Sequence, residues 1–505
     1  MERRDVLRLG AVAGVAGTLT LEPLRFAEAE ERHGDGGGGR TRTRTVKGQL
    51  PTGAPDFVYL PVEVPRGVRE IAVSYTYDKP EVPDGTLGNA CDIGVFDQRG
   101  VALGGRGFRG WSGGFRTEFA ISAEKATPGY LAGPVEAGTW QVVLGPYTVA
   151  PQGMRYEVTV TLSYGEEGET PRPSYPPQRV RGKGRGWYRG DCHLHTVHSD
   201  GARTPAEVAA AAREAGLDFL ATTEHNTSSG HGAWEGLWGD DLLVLTGEEI
   251  TTRNGHCLAL GIRPGTFVDW RYRARDDAFP RFARRIRRAG GLVVPAHPNC
   301  PFVGCQWKFG YAEADAVEVW NGPWTPDDEL ALAAWDNMLT DPTYNREGWL
   351  PAMGNSDAHK EGQDVGLPHT VVYAEELSRE ALLRSIAAGR SYLAESSTVS
   401  LDLEVTGPRG QHAGIGQRLD APADAPLHVS LRVGGAPGCT ARLMTDQGET
   451  HREVLPEKGS GTVRWTTTAS LAHYVRAEVR HPSDGGPLPG AMAALTNPVW
   501  LRARH

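Results

Sequence analysis

Between Trp187 and Ser396 strand-like and helix-like runs alternate, and this rhythm constrains the fold more than any other feature of the chain. DCHLHT precedes PAEVAAAAREAG, and FLATTEH leads towards LLVLTGEEITT. HCLALGI is followed by FPRFARRIRRAG, GLVVPAHP, AVEVWNG and DDELALAAWDNML, and LPAMGNSDAH, HTVVYAEE and REALLRSIAAG close the series. A helix between two strands lets the second strand run parallel to the first, so the alternation predicts an α/β layer or barrel. Roughly seven strand candidates over about 210 residues fit a barrel better than an open sheet.

On either side the rhythm stops. Residues 48–166 hold short alternating runs (FVYLPVEV, REIAVSYTY, CDIGVF, TWQVVLGPY, RYEVTVTLSY) punctuated by Gly and Pro, which predicts a β-sandwich. Residues 397–505 return to the same pattern with LDLEVTG, LHVSLRV, ARLMTD and HYVRAEVRH, and predict a second, smaller β-sandwich. The Gly-rich segment 30–47 and the Pro-rich segment 167–186 read as linkers. With 65 Gly and 35 Pro in 505 residues, an all-helical fold is disfavoured.

Residues 1–29 read as an export signal. Arg3 and Arg4 precede the uncharged stretch Leu9 to Leu21, and Ala27-Glu28-Ala29 supplies a cleavage site. The arginine pair resembles a twin-arginine signal, which implies an extracellular or envelope-associated protein. No later segment is apolar enough to predict a membrane span. The net charge of -9 argues against binding to duplex nucleic acid. Six scattered cysteines are no disulfide scaffold, and only Cys300 and Cys305 are close enough to suggest a bridge.

The histidines carry the chemistry. His193, His195, His225, His256, His297 and His359 each lie at or beside the end of a predicted strand, where barrel active sites are built. Residues i and i+2 of a strand share a face, so His193 with His195, and Asp357 with His359, present paired ligands. Asp200, Glu249 and Asp357 fall in the same segment. Crowding that many imidazoles and carboxylates together is costly unless cations neutralise them, which predicts a metal centre. Zinc, manganese and iron all suit such ligands. By alternation Cys192 and Cys257 point away from it and belong to the core. His198, Asn321 and Lys360 are candidate substrate contacts, and Trp307, Trp320 and Trp324 candidate cleft residues. H-E-x-x-H does not occur, so the motif of a thermolysin-like protease is absent.

GDCHLHTVHSDG (190–201), TTEHN (222–226), TGEEIT (246–251), GHCLALG (255–261), PAHP (295–298) and NSDAH (355–359) resemble, in order, the motifs of the polymerase and histidinol phosphatase (PHP) superfamily. The opening motif is most similar to that of CehA/McbA-type hydrolases. The resemblance covers about 187–396. It implies a distorted (β/α)7 barrel holding two or three divalent transition metals, zinc, manganese or iron. It places His193, His195, Glu249 and Asp357 on the first metal and lets Glu249 bridge to a second, completed by His256 and His297. Asp200, His225 and His359 would hold a third. Glu249, Asp357 and His359 become the catalytic positions. Glu224 departs from the family, which usually has Asp there, and Asp191 would support an imidazole from behind. The activity implied is hydrolysis of a small phosphate mono- or diester by hydroxide held between cations. Carboxylic or carbamic ester or amide hydrolysis is the alternative. A reading from another class is an envelope polysaccharide-binding protein with a non-catalytic barrel, and the flanking domains leave carbohydrate or polymer contact open.

Overall fold

The computed structural model describes residues 40–341, 349–483, 485–486 and 488–504. The expected export signal lies outside the described residues. The chain is a strand-rich mixed α/β protein, and no helix among the described residues is long and apolar enough to cross a membrane.

The first part of the chain pairs into two four-stranded antiparallel sheets. One joins Thr41–Leu50, Met154–Tyr164, Val68–Tyr77 and Glu118–Ser122; the other joins Val58–Val64, Gly138–Thr148, Ala90–Phe96 and Phe108–Trp111. Alternate residues of both sheets, among them Leu60, Val62, Ile71, Val73, Ile93 and Val160, meet in one buried core. The strand Thr41–Leu50 takes in residues that the Gly-rich composition placed in a linker. TRTRTV alternates with period two and pairs along its whole length with Met154–Tyr164, so ladder bonds outweigh the weak local preference.

In the central part, Leu243–Thr246, Phe219–Thr222 and Gly186–Asp191 pair in parallel. Val317–Asn321 and Ala352–Asn355 form a second parallel pair. Between them Glu248–Thr252, Gly255–Leu260 and Leu292–Ala296 pair antiparallel, because only Arg253 and Asn254 separate the first two strands. The run LLVLTGEEITT, a single strand by sequence, breaks at Gly247. A Cβ there would stand 3.1 Å from the Ala259 carbonyl oxygen and 3.0 Å from Thr223 Cγ2. The helix Pro205–Glu214 starts with Thr204 and Glu207 capping one another and a proline in its first turn. The helix Phe279–Arg288 buries Phe279, Phe282, Ala283 and Ile286, spaced for one face.

The C-terminal strands do not stand apart. Met492–Thr496 pairs with Ser391–Ala394 of the central part, and one eleven-stranded sheet runs from Leu243–Thr246 across to Gly448–Val454. A buried ion network closes this seam: Arg476 and Arg480 hold Glu478 between them and reach Asp336 and Glu329 on the helix Pro326–Thr340. The N-terminal sheets are joined as firmly to the central part, with Phe108 stacked on Phe267 at 3.9 Å and Arg271 donating to Tyr59.

Candidate metal centre

The strand Gly186–Asp191 delivers the chain to His193 and His195, and Glu248–Thr252 delivers Glu249 beneath them. Isolated bridges pair Leu194 with Ala358 and His225 with Glu249, drawing separate strand ends together. Gly201 lets the opening loop fold back: a Cβ there would lie 2.5 Å from the His195 backbone, so only glycine brings Asp200 against these imidazoles.

Four atoms define the deepest part. His193 Nε2 lies 3.2 Å from Glu249 Oε2 and 3.2 Å from Asp357 Oδ1; His195 Nε2 lies 3.3 and 3.0 Å from the same two oxygens. All four atoms are buried and none has a hydrogen-bond partner. Two imidazole nitrogens each 3.0 to 3.3 Å from two carboxylate oxygens are close enough to share one ion with ligands at about 2 Å, the usual zinc–nitrogen and zinc–oxygen distance. The donor set therefore fits a cation. Glu249 Oε1 faces the other way, 2.9 Å from His256 Nδ1 and 3.2 Å from His297 Nε2, and His256 Nε2 is also buried and unpartnered. Asp200 Oδ1 sits 3.5 Å from His225 Nε2 and 3.4 Å from His359 Nε2. His195, Asp200, His225 and His359 thus make a second group able to share one ion, and His193, His195, Glu249 and Asp357 another. The third potential group adds Cys305 to His256 and His297, but Cys305 is disulfide-bonded to Cys300 and offers no thiolate.

Electrostatics match this crowding. Burial opposes a charged His193, but Asp357, Glu318 and Glu249 outweigh it and hold its pKa well above the usual value. His195 is likewise opposed by burial, yet Asp357 and Glu249 push it up to about 10. Burial disfavours the carboxylates of Glu249 and Asp357, but the surrounding imidazoles win and hold both well below the usual range. Burial keeps His256 down at about 4. His297 (φ 29°), Asp357 (φ 50°) and Asn226 (φ 54°, next to His225) have left-handed backbones, the strain that accumulates at functional sites.

Sequence reasoning missed the groups that aim these ligands. Glu318, fully buried, accepts from His193 Nδ1 at 3.2 Å, Asn355 Nδ2 at 2.8 Å, Asn321 Nδ2 at 2.9 Å and the His297 backbone N–H at 2.9 Å. It fixes the His193 tautomer that turns Nε2 towards the centre. Its only sequence signal was a carboxylate inside an apolar strand, AVEVW. His195 Nδ1 is 3.2 Å from Ser199 Oγ, which donates to Glu224 at 2.5 Å, so Glu224 acts on His195 through Ser199. Asp191, expected to support an imidazole, instead accepts from the backbone N–H groups of His193, Ser356 and Gly366 and ties the loops. Glu248 turns away from the cluster and accepts from the Val268 N–H.

Of the expected substrate contacts, Asn321 donates to Asp357 Oδ2 at 3.3 Å, His198 is held by Ser229 Oγ at 3.0 Å, and Lys360 is exposed. Trp307 and Trp320 are core residues, because their indoles pack into apolar clusters at the junctions rather than into a cleft. Trp324 packs on Trp320 and donates to Glu329. Cys192 and Cys257 are buried. The cleft that does reach the centre, a cavity of about 280 Å³, is lined by Asp200, His225 and His256 together with aromatic residues of the N-terminal sheets.

No family model matches the chain. An uncharacterised protein of Methanocaldococcus jannaschii is 24% identical over 154 residues, covering 26% of this chain and 81% of that protein. Among solved structures, a two-domain Bacteroides vulgatus protein, said to contain a predicted PHP-like metal-dependent phosphoesterase, is 16% identical with a TM-score of 0.34. That similarity covers 65% of this chain and 99% of the other. An amidohydrolase from Chromobacterium violaceum is 21% identical with a TM-score of 0.25, covering 35% of this chain and 89% of the other. At these similarities the activity of this chain has to be read from its own side chains.

Proposed function

We propose that this chain is an exported metal-dependent hydrolase of the PHP type that cleaves phosphate mono- or diesters. Residues 187–396 form its distorted (β/α)7 barrel, and 48–166 and 397–505 its flanking β-sandwich domains. The observation that carries this reading is the convergence of buried, unpartnered His193 Nε2, His195 Nε2, Glu249 Oε2 and Asp357 Oδ1 on one point. Buried polar atoms without partners are uncommon, and four of them facing one another call for a ligand that completes them. In this reading His193, His195, Glu249 and Asp357 hold one cation, Glu249 with His256 and His297 a second, and Asp200, His225 and His359 a third.

Divalent cations bound there supply neutralising charge for a phosphoryl group and bring the pKa of water towards neutrality. The chain does the rest. Glu249 sets its two oxygens on opposite sides and fixes the spacing of the imidazole sets. Asn321 steadies Asp357, and Glu318 and Ser199 lock His193 and His195 with their Nε2 lone pairs inward. His359 commits its Nδ1–H to the Asp357 carbonyl at 2.7 Å, which leaves Nε2 beside Asp200. Burial of the deepest groups keeps bulk water from screening them.

The test is elemental analysis of the purified protein beside a His193→Ala, Asp357→Ala double variant, with phosphate, carboxylic and carbamic esters as substrates. Two or three equivalents of transition metal, lost in the variant, with phosphoester turnover, is the expected result. Turnover of carbon esters alone would replace the substrate class. Less than one equivalent after metal supplementation, unchanged in the variant, would overturn the hydrolase reading and favour the binding protein.

A further inference from the structure

The cavity that reaches Asp200, His225 and His256 is not built by the central part of the chain alone. Trp111 and Tyr147 on strands of the N-terminal sheets, Phe57 just before one of those strands, Phe115 in a short 3-10 turn and Trp270 of the central part all line it. The rings of Phe57, Trp111 and Trp270 lie 4.8 to 6.1 Å apart and meet edge to face. This wall is fixed in place: Arg116 donates to the Val197 carbonyl at 2.5 Å beside the opening motif, and Thr227 donates to the Gly129 carbonyl at 2.9 Å. The aromatic box therefore belongs to the folded state and stands directly in front of the metal centre.

Two charged groups line the same space. Arg253, in the turn between Glu248–Thr252 and Gly255–Leu260, lays its guanidinium 4.2 Å above the Tyr147 ring, and its Nη2 is buried without a hydrogen-bond partner. Asp92, on the strand Ala90–Phe96, is half-buried, and its surroundings provide Coulombic contacts with Arg253 and His225 but no hydrogen bond. A donor and an acceptor left unused inside an aromatic lining are the few placed polar groups by which apolar pockets choose a ligand. Neither the Arg253 Nη2 nor the Asp92 carboxylate is committed to a side-chain hydrogen bond among the described residues.

We propose that this cavity binds the organic group of the substrate, and that the group is a planar aromatic ring carrying an acceptor for Arg253 and a donor for Asp92, as an aryl carboxamide does. The proposal rests on the hydrolase reading and names its substrate class: aryl phosphates with an amide-type substituent. Planar rings fit the edge-to-face walls, and the flat guanidinium extends the stack. A site with polar groups waiting for partners rejects ligands that cannot supply them.

The full metal-loaded chain is tested with 4-carbamoylphenyl phosphate, phenyl phosphate and ethyl phosphate. The expected order of kcat/KM is carbamoylphenyl, then phenyl, then ethyl. In Arg253→Met and Asp92→Ala the ratio of carbamoylphenyl to ethyl falls on the order of 10- to 100-fold, as loss of a charge-assisted hydrogen bond requires, mainly through KM. Calorimetric titration with 4-hydroxybenzamide reads the same site without turnover, with affinity lost in both variants. Binding that persists although no phosphate ester is cleaved would remove the phosphoester reading and leave the cavity assignment standing. Equal turnover of all three esters, or a ratio and a 4-hydroxybenzamide affinity unchanged in both variants, would overturn the cavity assignment and leave the hydrolase reading intact.

Discussion

Replacing Glu318 by Gln tests whether the centre depends on a residue that touches no substrate. The two side chains have nearly the same shape, so no cavity opens; only charge and one acceptor change. His193 Nδ1 lies 3.2 Å from Oε1 and 3.3 Å from Oε2; Oε1 also takes Asn355 Nδ2, and Oε2 takes Asn321 Nδ2 and the His297 N–H. An amide nitrogen at Oε1 strands Asn355 Nδ2, one at Oε2 strands Asn321 Nδ2 and the His297 N–H, and in both cases His193 is left with a single neutral acceptor. An unsatisfied buried group costs about 1–3 kcal/mol, so the substitution costs roughly 1–6 kcal/mol. Asn321 can recover part of this by turning its amide over, but it then gives up its bond to Asp357 Oδ2. With one neutral acceptor in place of a carboxylate, the His193 Nδ1–H is held more weakly, and metal affinity should fall by about 10- to 100-fold. Metal retention against a graded chelator series, with urea unfolding in parallel, measures both effects. Wild-type retention and wild-type stability in Glu318→Gln would refute the argument that this carboxylate aims His193.

Other consequences are as direct. Burial holds His231 down at about 4, with Nε2–H donating to the Gly247 carbonyl and Nδ1 accepting from the Gly265 N–H. The unfolded chain takes up that proton first, so stability falls as pH drops from about 6.5 towards 4, by up to about 3 kcal/mol; denaturation across that range should show the slope, flattened in His231→Gln. Burial opposes the Glu478 carboxylate, but Arg476 and Arg480 outweigh it and hold it at about 2. Its contribution is present above about 4.5 and lost as pH falls towards 2, and Glu478→Gln, which removes the carboxylate shared by two buried guanidinium groups that keep Asp336 and Glu329, should cost about 1–3 kcal/mol in urea unfolding. Chelation should lower the melting temperature and metal should restore it, because a ligand at a thousand times its Kd adds about 4 kcal/mol; a melting temperature indifferent to chelator would refute occupancy of the centre.

The sequence by itself marked the candidate ligands. His193 and His195, two residues apart, share a direction through local backbone geometry, and the glycine of SDG permits its loop wherever the strands lie. The mixed α/β character was legible for the same reason, since period and punctuation are local. Tertiary structure decided what those groups meet. Glu318 lies 125 residues from His193, and nothing in AVEVW says which imidazole it will hold. The boundary drawn at 396 follows a real change of rhythm, yet the sheet crosses it through Ser391–Ala394 and Met492–Thr496, because ladder bonds ignore sequence distance. Trp307 and Trp320 read as cleft residues and pack as core, while Phe57, Trp111 and Asp92 read as ordinary strand and loop residues and line the cavity. Aromatic side chains go wherever two surfaces close on them, and which surfaces meet is fixed only when the N-terminal sheets dock on the central part.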